Sequence, residues 1–173
     1  MKTIYLAIIA AIQANATDIV HIDLDRDQLH NPNEDSFDRP AVLITFRDIV
    51  WTSGGQRQQT GMAQIDIKVI RDSIADSEAG SSNQDDALAF LDLSDEVHTA
   101  LQGLTGEGFS PLSRIRSDYG TTIRSENVSL MTYTTMITQD VTPNYLYAKD
   151  TTAAVAIGGI PAPPAPEQTF IIP

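Results

Sequence analysis

Between Ala63 and Val69 every second side chain is apolar: Ala63, Ile65, Ile67 and Val69 alternate with Gln64, Asp66 and Lys68. Successive side chains of an extended chain point to opposite faces. This run can therefore bury one face as a strand, whereas a helix would scatter its apolar groups around the axis. A strand from about Arg57 to Ile70 is predicted. The preceding segment behaves alike from Ala41, just after Pro40, to about Trp51, with Val42, Ile44 and Phe46 opposing Leu43, Thr45 and Arg47. Thr52-Ser53-Gly54-Gly55 supplies a turn between them, so the two runs should form one long antiparallel hairpin.

Three further runs read as strands. Residues 18–24 put Ile19, His21 and Asp23 on one side and Val20, Ile22 and Leu24 on the other. Residues 112–119 and 126–139 flank a turn at Gly120-Thr121-Thr122. In the second of these, Met131, Tyr133, Thr135 and Ile137 alternate with Leu130, Thr132, Thr134 and Met136, a Thr- and Tyr-rich composition that suits a strand. Two stretches have helical spacing instead. In residues 3–15, Ile4, Ile8, Ala11 and Ile12 form one stripe, with Leu6 and Ile9 as a second contact face. In residues 86–103, Phe90, Leu93, Val97, Leu101 and Leu104 form another, with Asn83 or Asp85 as the cap and Gly103 and Gly106 at the stop. Residues 25–40 and 72–84 read as long polar connections, the first either functional or mobile. The sum is an α+β domain over 1–140: an antiparallel or mixed β-sheet with two α-helices packed on one face.

After Asp140 the character changes. Residues 141–173 carry Pro143, Gly158-Gly159 and the run Pro161 to Pro166, from which no core can be built. This is read as an extended C-terminal arm, in part polyproline helix, ending in the apolar tip Phe170-Ile171-Ile172. Such a tip suits docking on a neighbouring subunit, and a frayed terminus is the equal alternative.

The chain has no cysteine, which excludes disulfides and thiolate metal sites. Its formal charge of −12 opposes DNA binding, because nucleic-acid affinity rests on Lys and Arg neutralising phosphates. The N-terminus imitates a secretory signal, with Lys2, the apolar run Ile4 to Ile12 and the small-x-small triplet Ala14-Asn15-Ala16. With a single basic residue and a run too short to span a bilayer, it is read as a core or interface helix. No membrane association is expected.

Catalytic signatures are missing. There is no G-x-S-x-G and no P-loop, and Gly54-Gly55 lies between strands rather than before a helix. His21, His30 and His98 form no pair spaced for zinc, and His98 is read as a rim residue. Asp23, Asp25, Asp27 and Glu34 imitate an EF-hand, but Gln28 stands where glycine is required and a strand precedes the loop. No enzyme, cofactor or metal is therefore expected. Arg47, Arg57, Arg114, Arg116 and Arg124 fall on strands and turns, where they could pair across strands or form ion pairs between subunits. Trp51, beside the turn at Gly54 and Gly55, is either an interface anchor or an ordinary core residue.

In its order of elements the chain resembles the tail-terminator and tail-completion proteins of long-tailed phages. The residues that carry the likeness begin with the helix Ile4–Ala14 running into Ile19-Val20-His21-Ile22-Asp23, then Arg39-Pro40-Ala41-Val42-Leu43-Ile44 and the strand Ala63–Ile70. They continue through Ala89-Phe90-Leu91-Asp92-Leu93-Ser94-Asp95-Glu96-Val97, Leu101-Gln102-Gly103-Leu104, Phe109-Ser110-Pro111-Leu112 and the last strand to Asp140. The arm beyond departs from the shorter forms of that family. The resemblance implies a virion protein assembled in the host cytoplasm as a homo-oligomer, typically a hexameric ring. Such a ring ends the tail tube, offers the head–tail connector a docking surface and lets DNA pass through its lumen without specific binding. Other neck or tail rings (an adaptor or a minor tail protein) and, further off, a periplasmic binding domain are the alternatives.

Overall fold

The computed structural model describes residues 1–30, 37–54, 58–72, 77–123 and 126–140. Gly55, Arg57, Arg124 and the segment 141–173, with Phe170, Ile171 and Ile172, lie outside the described residues. The elements are α1 (Lys2–Asn15), β1 (His21–Leu24), β2 (Ala41–Phe46), β3 (Val50–Ser53), β4 (Gln58–Asp72), α2 (Gln84–Leu101), β5 (Ser113–Ile123) and β6 (Glu126–Asp140).

The strands form one mixed sheet in the order β1-β2-β4-β6-β5, with β3 also on β4. β1 runs parallel to β2 and the other pairs are antiparallel. The predicted hairpin is present, but its first arm is broken. Phe46 stands opposite Ile65 and Val50 opposite Met62, so four steps on one arm match three on the other. That is a β-bulge at residues 47–49, which re-aims the side chains that follow it. Arg47 N still donates to Gln64 O across the bulge, at 3.0 Å.

Both helices lie on one face, making an α+β domain. Ile4, Ile8 and Ile12 of α1 and Phe90, Leu93, Val97 and Leu101 of α2 share a core with Val42, Ile44, Ala63, Ile65, Ile67, Val69, Met131 and Tyr133. These are the stripes and alternations expected from the sequence. Differences appear at the ends. β1 begins only at His21: Ile19 and Ile22 both pack on this core while His21 lies on Phe37, so the period-2 alternation expected from residue 18 does not run through residues 19–22. Leu6, expected in a second contact face, is 51% exposed. Helix α2 starts at Gln84 with Asn83 as N-cap residue, whose side chain makes no capping bond.

The connection before β2 is more than a loop. Leu29 and Phe37 are buried against Ala41, Leu43, Ile70 and Val128, forming a second small core on the helix-free side of the sheet. His21 stacks on Phe37 with ring centroids 5.0 Å apart. Sequence periodicity misses this because two isolated apolar residues make no pattern.

One glycine in β4 is set by packing. A Cβ on Gly61 would stand 2.7 Å from Ile49 Cγ2 and 3.1 Å from Trp51 Cε3. Gly61→Ala is therefore expected to cost about 1–2 kcal/mol by overpacking. It should also displace Trp51, the only tryptophan, so the emission maximum of the folded protein should move. An unchanged emission spectrum and an unchanged urea midpoint would show that the ring does not rest on Gly61.

Candidate functional site

The residues of the helix-free face follow from register. On β4 the side chains of Met62, Gln64, Asp66 and Lys68 alternate with the core set and point the other way. Their partners on β2, β3 and β6 share that face, and two zones result.

The first zone is polar and fixed. Lys68 Nζ donates to Asp25 Oδ2 at 2.6 Å, and Thr45 Oγ1 donates to the same oxygen at 3.2 Å. One strand position along, Arg47 reaches Asp66 Oδ2 through Nε and Nη2, both at 2.7 Å, and Thr132 Oγ1 donates to Asp66 Oδ1 at 2.8 Å. Asp66 is only 8% exposed although it lies on the outward side, because these groups cover it.

Burial alone would raise the pKa of Asp25. The Lys68 hydrogen bond, the Asp27 backbone N–H, the Lys68 charge and the Thr45 hydroxyl together outweigh it and hold the carboxyl below its usual value. A depressed folded pKa gives stability that is fully present above the unfolded value, near ~3.9, and is lost as pH falls through the folded one. Asp25→Asn should flatten the loss of stability below about pH 4, measured as the urea midpoint against pH. If the acid limbs of the wild type and the variant coincide, Asp25 is not the group that titrates.

The second zone is apolar and open. Val50 stands opposite Met62, and Met62 opposite Met136. These three side chains form a row across β3, β4 and β6, 83%, 53% and 48% exposed. Arg47 and Asp66 border it through their strands, so the row ends against a hydrogen-bonded ion pair.

The residues singled out from sequence do not converge. Arg47 borders the apolar row but is bound within its own chain. Trp51, one residue from Val50, points to the opposite side, over Gly61, and is 37% exposed. Gly54 closes the hairpin, donating to Gln58 O at 2.7 Å. Arg114 and Arg116 lie on β5 at the far edge of the sheet. Gly55, Arg57, Phe170, Ile171 and Ile172 are outside the described residues.

His98 sits on the rim, as expected, but has a partner that sequence could not supply: its Nδ1 is 3.0 Å from the Tyr133 hydroxyl. Burial pushes that hydroxyl's pKa well up. Burial, with the Arg114 charge, lowers that of His98, partly offset by Asp95.

The carboxylates of the imitated EF-hand turn to protein partners. Asp23 takes Arg26 Nη2 at 2.6 Å, and Asp25 is held by Lys68. Asp27 lies 2.6 Å from His30 Nδ1. Gln28 closes the turn with Nε2 on Leu24 O and Oε1 on Arg26 N, while Glu34 is outside the described residues. Among the described residues no helix is long and apolar enough to cross a membrane.

No known family and no curated protein matches this sequence. Among solved structures, a chain of the virion of a native gene transfer agent particle is similar, with a TM-score of 0.48 and 12% identity. The match covers 78% of this chain and 94% of that one. A likeness of that degree concerns the course of the backbone, and no functional conclusion follows from it.

Proposed function

We propose that this protein is a structural subunit of a tailed-phage virion, of the tail-terminator or tail-completion type. It acts as one copy in a ring, hexameric as the resemblance implies, that ends the tail tube and joins it to the head connector. The observation that carries this reading is the helix-free sheet face, where Val50, Met62 and Met136 form one exposed row beside the Arg47–Asp66 pair. Contiguous exposed apolar side chains on a soluble protein mark a place where another protein sits. A rigid sheet presents such a row without the entropic cost of ordering a loop.

The reading is non-enzymatic and without cofactor. Asp25, Asp66 and Glu126 are each bound to a cation of their own chain, Lys68, Arg47 and Arg39, which suits a structural role for these carboxylates. The formal charge of −12 suits a lumen through which DNA slides without sticking. Its partners would be copies of itself, the tube subunit and the connector, and its location the neck of the particle.

The test is the mass of the purified full chain across a concentration series, with and without isolated tail tubes, followed by imaging of the complexes. A closed ring of one fixed copy number, seated on tube ends, is expected. A chain that stays monomeric at every concentration and ignores tubes would end this reading.

A further inference from the structure

We infer that ring closure in the assembly proposed above is a head-to-tail contact, in which the outer edge of β5 of one copy meets the solvent face of α2 of the next. The inference rests on that reading and names the surfaces it requires.

Helix α2 buries Phe90, Leu93, Val97 and Leu101. At 3.6 residues per turn the opposite side carries Leu88, Leu91, Asp92 and Asp95. Leu88 and Leu91 are 38% and 43% exposed. The helix has five carboxylates, Asp85, Asp86, Asp92, Asp95 and Glu96, and no Lys or Arg. None of the five is in an ion pair among the described residues. This face is apolar and acidic together.

The complementary charges line the outer edge of β5 on the same chain, Arg114 opposite Tyr133 on the helix-covered face and Arg116 opposite Thr132 on the other. β5 is an edge strand paired only with β6 among the described residues. Ile115 and Tyr119 on it are 54% and 41% exposed. Arg114 touches the Tyr119 hydroxyl and Met131 Sδ and, among the described residues, no carboxylate. Arg116 has a 64% exposed side chain and, among the described residues, one ion-pair contact, to Asp118 at 3.7 Å. Most other described cations are taken: Arg26, Arg39, Arg47 and Lys68 are all bound to carboxylates. Arg71 lines a hollow of its own chain with Asp18, Asp92 and Glu96, so Asp95 is the acid of this helix face that lies away from it, and Lys2 is the first residue of α1.

A chain this acidic repels its own copies unless its few free cations meet acid on the neighbour. The two surfaces are different, so the contact is heterologous and can repeat around an axis until it closes. Register shifts interrupt β5 between Arg114 and Arg116 and between Asp118 and Thr121. Such irregularities oppose strand-on-strand extension, which favours a side-chain contact with a helix.

The experiment uses the full chain, with dissociation followed by sedimentation at low and high salt. R116E alone and D95K alone should each raise the dissociation constant by about tenfold or more, and R116E/D95K should recover much of that loss. Salt near 0.5 M should weaken the wild-type assembly, since these rim charges are screened. Circular dichroism and the thermal midpoint of each variant establish that it folds. If the charge reversals leave the ring and its dissociation unchanged, or the combined variant recovers nothing, this contact is wrong while the ring stands. A wild type that assembles neither alone nor on tail tubes removes the ring itself.

Discussion

Replacing Ile67 by Ala is expected to lower the unfolding free energy by roughly 3 kcal/mol, a large part of the ~5–15 kcal/mol typical of a domain. Ile67 is fully buried. It stands between Ile44 of β2 and Met131 of β6 on the helix-covered face, so the lost methyl groups leave a cavity walled by three strands. A strand backbone fixed by ladders on both sides cannot move in to fill that space, which keeps the cost towards the upper part of the range. Five residues earlier on β4, Met62 points the other way and is 53% exposed. Met62→Ala should change stability by no more than about 0.5 kcal/mol. In the proposed assembly it should weaken docking instead, as loss of an exposed anchor does. Urea unfolding of both variants decides the matter. Equal losses at the two positions would show that the two faces of β4 are not distinguished as the register requires.

That contrast shows what the sequence reveals and what it hides. The alternation from Ala63 to Val69 marks which side of β4 is buried, and the spacing of Phe90, Leu93, Val97 and Leu101 marks the side of α2. Both are local periods, so both are legible without partners. The bulge at 47–49 is not, because it is a count of residues on one strand against another. It sends Trp51 over Gly61 and leaves Val50 on the open side, beside Met62 and Met136. Each of those three reads singly as an ordinary exposed apolar residue. Only the cross-strand register makes them a row. Arg47 is legible as a cation on a strand, and its pairing with Asp66 of β4 is one of the two readings the sequence left open. Leu29 and Phe37 escaped for the same reason as the row: their partners lie far off in sequence, at Ile70 and Val128.

The covering of that second small core leads to the other large effect. Arg39→Ala is expected to destabilise the protein by about 2–4 kcal/mol. The Arg39 side chain is 19% exposed and that of Glu126 16%. Arg39 donates through Nη2 to Glu126 Oε1 and through Nη1 to the Phe37 carbonyl, and its guanidinium lies 4.1 Å from the centre of the Phe37 ring. One side chain therefore ties the segment before β2 to the first residue of β6. Without it, Glu126 keeps a largely buried charge opposite Asp72 on β4, and a like-charged cross-strand neighbour adds to the cost of desolvation. The pair is not fully satisfied, since Arg39 Nε and Glu126 Oε2 have no partner among the described residues. An apolar replacement of both groups should therefore cost much less than the two single losses together. Arg39→Met with Glu126→Leu is expected to show a coupling of roughly 2 kcal/mol in a double-mutant cycle read from urea midpoints at constant slope. Additivity of the two single changes would mean that the charges are hydrated independently and that the clasp between these segments is made by Phe37 and Leu29 alone.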